Sequence, residues 1–224
     1  MNLVLIPAGK FVMGSPSTDN KRDDDEGPQR EVSISRPFYM GVYEVTQDQY
    51  EAVMGSNPSK YEGATNPVER VSWKNAMEFC KNLSQKTGKI ITLPTEAQWE
   101  YSCRAGTQTS FYFGSNDASL GDYAWYSGSS RSNEPHPVGQ KKPNAFDLYD
   151  MHGNIWEWCA DWYAGSYENA STKDPSGPNT GQYRVVRGGC WGDSAGGCRS
   201  AFRLRRSPGL RYYSSGFRVV LDLN

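Results

Sequence analysis

Past Gly106 helical periodicity disappears, and the second half of the 224-residue chain is a succession of Gly, Ser, Asn, Asp and aromatic side chains. Such a segment folds as short strands joined by long ordered loops. Loops of that length have no regular ladder for their backbone groups, so internal hydrogen bonds or a bound ion must hold them. The aromatic supply suits this, with 7 Trp, 14 Tyr and 8 Phe against only 2 His. The chain is long enough to bury a sizeable core without staples. No run approaches the roughly 20 apolar residues of a spanning helix. With 24 basic and 25 acidic residues the net charge is -1, which argues against a nucleic-acid binder relying on overall positive charge.

The first half carries the helices. Thr46 followed by Gln49 is a capping box that opens a helix through Met54, stopped by Gly55 and Pro58. A second helix starts after Ser72, with Ala76, Phe79, Cys80 and Leu83 on one face, and ends near Gly88. A third opens at Leu93-Pro94-Thr95-Glu96-Ala97-Gln98-Trp99, where Thr95 and Gln98 again satisfy each other's backbone donors. Extended segments are expected at Leu3 to Ile6, Lys10 to Met13 and Val32 to Tyr43, and the acidic stretch Asp19 to Glu26 reads as a solvated loop. The expected organisation is one α+β domain over residues 1–224. The five cysteines form no CxxC pair and are an odd number, so buried free thiols are expected. Met1-Asn2 runs straight into an extended segment and gives no signal peptide, consistent with a cytoplasmic chain or a trimmed leader.

Two places carry candidate chemistry. Asp150 and Glu157 lie seven residues apart with Gly153 and Asn154 suited to a turn between them, a pattern that can fold around a hard cation or serve as a hydrogen-bonded turn with Trp156 and Trp158 in the core. His152 has no second His or Cys at zinc spacing and reads as a packing residue. With only His136 and His152 available, nucleophile–histidine arrangements have little to draw on.

Four motifs then occur in a recognisable order: Leu93 to Tyr101, Gly153-Asn154-Ile155-Trp156-Glu157-Trp158, Arg187-Gly188-Gly189-Cys190-Trp191 and Gly216-Phe217-Arg218-Val219-Val220. Together they resemble the formylglycine-generating-enzyme domain, a variant of the C-type lectin fold, over essentially the whole chain. The resemblance implies an α+β C-type lectin-like fold with few helices, short strands and long loops. It also implies a structural calcium held by the side chains of Asp150 and Glu157 and the carbonyls of Gly153 and Ile155. Oxidase members of the family use two cysteines five residues apart after the Arg-Gly-Gly motif to hold copper(I), a soft ion suited to thiolates. Those positions are Asp193 and Cys198 here, so one thiol is absent and no catalytic cofactor is expected. A formylglycine-forming oxidase acting on a substrate cysteine remains the alternative.

The segment 187–220 carries a further resemblance. From Gly192 to Gly216 a frame of Arg199-Ser200-Ala201, Arg203, Arg205, Ser207-Pro208, Arg211 and Gly216-Phe217-Arg218 alternates with positions that contain no Lys, Glu, Gln, Met or Trp. This is similar to the variable region of the proteins diversified by retroelements, where randomised asparagine codons cannot yield those five residue types. It implies a non-catalytic recognition face built from Trp191, Gly192, Asp193, Ser194, Gly196, Gly197, Phe202, Leu204, Arg206, Gly209, Leu210, Tyr212, Tyr213 and Ser214. Aromatic rings there supply rigid contact area while Gly and Ser supply adaptability. Arg199, Arg203, Arg205 and Arg211 are expected to brace the loops through bonds to carbonyls. The implied partner is a protein or other surface molecule, with no nucleic acid. The implied setting is a bacterial surface, reached by a lipoprotein through its lipid anchor.

Overall fold

A computed structural model describes residues 1–129 and 133–223. Among these residues three sheets, three α-helices and three short 3-10 turns make up the regular part. Strands β1 (Leu3–Ile6), β4 (Phe38–Gly41), β5 (Ile91–Thr92) and β10 (Val220–Asp222) form one antiparallel sheet in the order β1-β4-β10-β5. Both ends of the chain therefore share β4 as a neighbour, with Ile6 opposite Phe38 and Val220 opposite Met40. Strands β2 (Gly9–Met13) and β3 (Arg30–Ile34) pair as a ribbon. The third sheet takes β6 (Trp156–Trp162), β7 (Arg184–Arg187), β8 (Leu204–Arg206) and β9 (Ser215–Gly216) in the order β8-β7-β6-β9.

The helices begin and end where their caps dictate. Helices α1 (Gln47–Met54), α2 (Trp73–Thr87) and α3 (Glu96–Arg104) start behind Thr46, Ser72 and Thr95, each of which accepts from the third helical N–H in a reciprocal capping box. Gly55 and Gly88 close the first two in the left-handed region, which glycine enters without a Cβ penalty. The extended stretch expected from Val32 to Tyr43 is divided instead. Residues up to Ile34 pair with β2, and the chain re-enters another sheet at Phe38, just past Pro37, which has no N–H for a ladder.

Among the described residues three apolar clusters fill the interior, the smallest of them Phe111, Leu120, Ala124 and Cys198, and the other two are larger. One gathers Ile6, Val32, Phe38, Met40, Trp99, Leu148 and Met151, and the other Val45, Val71, Phe79, Trp158, Phe217 and Val219. Both indoles that reach deepest are satisfied: Trp99 Nε1 donates to Glu157 at 2.8 Å and Trp158 Nε1 to the Val71 carbonyl at 3.0 Å. All five cysteines are free and buried, as expected. Side chains hold the long loops from within. Asn144, for example, donates to the carbonyls of Ser102 and Cys103 and accepts from Phe146 and Leu148 N–H. The acidic loop departs from expectation, because Glu26 is fully buried rather than solvated. Its partner is Arg199, far along the chain.

Candidate recognition face and its buried frame

Beneath the C-terminal segment lies a set of arginine–glutamate pairs. Arg187 of β7 donates to Glu100 of α3 and to the carbonyls of Ser200 at 2.9 Å and Ala201 at 2.8 Å, fixing the chain where it turns toward β8. Arg199 grips Glu26 with bonds of 2.8 and 2.6 Å. Arg203 grips Glu96 at 2.6 and 2.8 Å and also donates to the carbonyls of Asp25 and Ala164. Arg218 holds Glu157 with two bonds of 2.7 Å. All eight side chains are buried. Planar guanidinium forks match carboxylates bidentately, which makes burial of both charges tolerable. Burial works to raise the Glu26 and Glu96 carboxyls, but Arg199 in one case and Arg203 with Arg187 in the other outweigh it and hold both below the ordinary range.

Arg199 and Arg203 thus brace the loops as expected, but chiefly through carboxylates, with carbonyls second. Arg205 and Arg211 are exposed and do not belong to the buried frame. Arg205 reaches the Tyr163 hydroxyl at 3.2 Å.

The interleaved positions sit differently. Gly192, Ser194, Gly209, Leu210, Tyr212 and Tyr213 are exposed, and Trp191, Asp193, Gly196, Gly197, Phe202, Leu204 and Arg206 are half-buried. Ser214 is the exception among the expected face residues. It is 7 % exposed, and its carbonyl accepts from Trp156 N–H at 2.8 Å, because the chain there is entering the β9 pairing with β6. Ser214 is therefore excluded from the contact surface.

Two features form on this surface. Asp193, Ser194, Gly196, Gly197, Phe202 and Leu204 line a groove of about 310 Å³ floored by Trp156, with Lys21 and Arg199 at its sides. Asp193 is partly committed there, since its carboxylate accepts from Cys190 N–H at 2.8 Å and closes the turn. Beside it, Trp191 and Tyr213 stack with centroids 6.1 Å apart, and Tyr61 meets both edge-on at 6.2 and 6.3 Å. Lys60 lies 5.2 Å from the Tyr213 ring. Buried Glu69 fixes this neighbour by accepting from the N–H groups of Lys60 and Tyr61. Sequence reasoning did not find Lys60 and Tyr61, because nothing local ties them to a segment some 130 residues downstream.

Asp193 and Cys198 stand where the resemblance would put the two copper cysteines of the oxidase members. Cys198 is fully buried, and burial, with Asp193 and Cys190 nearby, pushes its thiol well above the ordinary range. Burial and Asp193 push Cys190 up to about 12. His152 is likewise enclosed. Burial lowers it to about 3, its Nε2 accepts from Tyr112 N–H at 3.2 Å, and its ring stacks on Tyr112.

The Asp150–Glu157 loop offers a cation uneven ends. Asp150 Oδ2 accepts from Gly139 N–H at 2.7 Å, while Oδ1 is buried without a partner, as is Glu44 Oε1. Burial raises Asp150 to about 6. Gly153, at φ 84, leaves no room for a Cβ, which would fall 2.1 Å from the Trp125 carbonyl oxygen. At the other end Glu157 already takes two N–H bonds from Arg218 and one from Trp99, three of about four lone-pair positions. Among the described residues no group of three or more His, Cys, Asp or Glu side chains is arranged to hold a metal. A cation here would lean on Asp150 and the carbonyls of Gly153 and Ile155, with Glu157 the weaker charged ligand.

Few helices, short strands, and long loops carried on buried ion pairs define a C-type lectin-like fold of the formylglycine-generating subtype. The chain belongs to the sulfatase-modifying factor enzyme 1-like domain family, which matches residues 1–223. The structure of Treponema denticola variable protein 1 is similar at 32 % identity, with a TM-score of 0.89 over 98 % of this chain and 94 % of that one. PvdO from Pseudomonas aeruginosa is similar at 32 % identity and TM-score 0.91, over 99 % and 94 %. Among curated relatives, Chaperone protein LppX of Paenibacillus barcinonensis is 31 % identical over 98 % of this chain and 89 % of its own length. The formylglycine-generating enzyme of Mus musculus is 29 % identical over 98 % and 75 %. The chain spans only 37 % of a similar Chlamydia caviae serine/threonine-protein kinase pkn1.

Proposed function

We propose that this chain is a non-catalytic ligand-binding domain whose loops from Trp191 to Tyr213 present an exchangeable recognition face, in the manner of variable proteins. One observation carries the reading: within a single segment, the paired arginines point into the core while the interleaved positions, Ser214 and Ser215 apart, reach the surface. Surface side chains away from caps and ion pairs change at a cost within about 0.5 kcal/mol, so such a face can vary without loss of fold. The mixed aromatic and small-residue composition favours a protein or other surface molecule as partner.

A display library randomised at the exposed positions tests this. Most members should remain folded, and selection against protein targets should recover binders. The formylglycine-forming alternative makes the opposite demand. It needs a thiolate pair, where the chain offers Asp193 and a buried, protonated Cys198. Stoichiometric copper with turnover of a cysteine peptide would establish the enzyme and overturn the binding-only reading. We also propose that calcium, when bound, sits at Asp150 and has a structural role, since it would satisfy an otherwise orphaned buried oxygen. Thermal melts should then rise with calcium and fall with chelator, and Asp150→Ala should abolish the difference.

A further inference from the structure

At the far end of β6 lies a further, partly open cavity of about 330 Å³. Trp156 floors the recognition groove, whereas Trp162, six residues along the same strand and so about 20 Å away, walls this one. None of the exchangeable positions lines it. Its volume falls in the range of small-molecule sites. The walls are largely apolar, with Met13, Val32, Ala97, Trp162, Tyr167 and Pro178. Over it passes the loop through Gly177, held so close that a Cβ there would lie 2.9 Å from Asp161 Cβ and 3.0 Å from the Trp162 carbonyl oxygen.

Six charged side chains line this space: Glu96, Arg203, Asp161, Arg30, Glu168 and Asp174. Glu96 and Arg203 are consumed by each other, and Tyr167 donates its hydroxyl to Glu96 at 3.1 Å. Asp174 is taken by the Ser35 N–H and hydroxyl, and Glu168 is exposed, which leaves Asp161 and Arg30. Asp161 is 4 % exposed, and its Oδ2 accepts from Glu96 N–H at 2.8 Å, while no side chain among the described residues donates to either of its oxygens. Arg30 donates through Nη1 to the Tyr167 carbonyl, but its Nε is buried and unpartnered. A carboxylate without a side-chain donor and a guanidinium with an unpartnered Nε, both on the wall of one cavity, suit a ligand that carries an ammonium and a carboxylate.

We propose that this cavity binds a small zwitterion, with its ammonium group on Asp161, its carboxylate on Arg30 and a short apolar body between them. The site is independent of the recognition face and stands whether or not that face binds anything. An ammonium would also settle the Asp161 carboxyl, which burial and the Glu96 charge otherwise push up to about 8.

The test is calorimetric titration of the full chain with straight-chain ω-amino acids from glycine to 8-aminooctanoate, with hexylamine and hexanoate as single-ended controls. Affinity should peak at one chain length and exceed both controls at least about tenfold. Asp161→Asn should remove that advantage over hexanoate, and Arg30→Gln the advantage over hexylamine. Ala170→Phe, at the half-exposed mouth, should abolish binding without touching either polar group. The proposal is overturned if no member binds at millimolar concentration, if affinity simply climbs with methylene count whatever the end groups, or if binding survives the Ala170 plug.

Discussion

The C-terminal segment contains two populations of side chain within a few residues of each other, and they obey opposite rules. Arg203 is buried against Glu96, Tyr167 and two carbonyls, whereas Leu210, Tyr212 and Tyr213 are 38 %, 43 % and 43 % exposed. The first group is fixed because a buried charge that loses its partner is left uncompensated. The second is free because water takes the place of whatever is removed. A segment built this way separates the energy that holds its path from the residues it sets at the surface.

Breaking the frame should have the largest effect. Arg203→Met takes both guanidinium bonds from Glu96 and should cost about 3–5 kcal/mol in denaturant unfolding, whereas Arg187→Met leaves Glu100 with Arg104 at 2.8 Å and should cost less. Acid should act on the same pairs. Glu26 and Glu96 are held below their ordinary range, so their contribution is present above the unfolded carboxylate value of about 4.3 and lost as pH falls through their folded values. Melting temperature should drop steeply there, and less so in Arg199→Met, which has already lost the Glu26 pair. Asp161 runs the other way. Burial raises it to about 8, so its contribution is complete below the unfolded value of about 3.9 and lost as pH rises through 8. Asp161→Asn cannot ionise and should flatten that slope. Smallest should be the face itself: Leu210→Ser should shift stability by no more than about 0.5 kcal/mol, and Tyr213→Ser by somewhat more, since it also loses the rings of Trp191 and Tyr61.

The helices were fully legible, because Thr46, Ser72 and Thr95 announce their starts and Gly55 and Gly88 announce two of the ends within a few residues. The alternation of buried arginines and surface positions was legible in part, for Arg199, Arg203 and Arg218, since it is written along one segment. What stayed hidden depends on distance along the chain. Glu26 read as one charge in a solvated loop because its partner Arg199 lies 173 residues away. Arg205 and Arg211 looked like frame residues by type alone, and no sequence pattern reveals which guanidinium finds a buried carboxylate. Ser214 looked like face until the parallel pairing of β9 with β6 drew it inward. Tyr61 and Asp161 escaped notice for the same reason, being set in place by neighbours from other elements.

The partition is tested most directly by denaturant unfolding of one sixfold variant, with Gly192, Ser194, Gly209, Leu210, Tyr212 and Tyr213 all replaced by residues of different size and polarity, beside the single variant Arg203→Met. Cooperative unfolding of the sixfold variant, with less stability lost than from the one arginine, is the predicted result. A sixfold variant that loses more than Arg203→Met, or that no longer folds, would contradict the account.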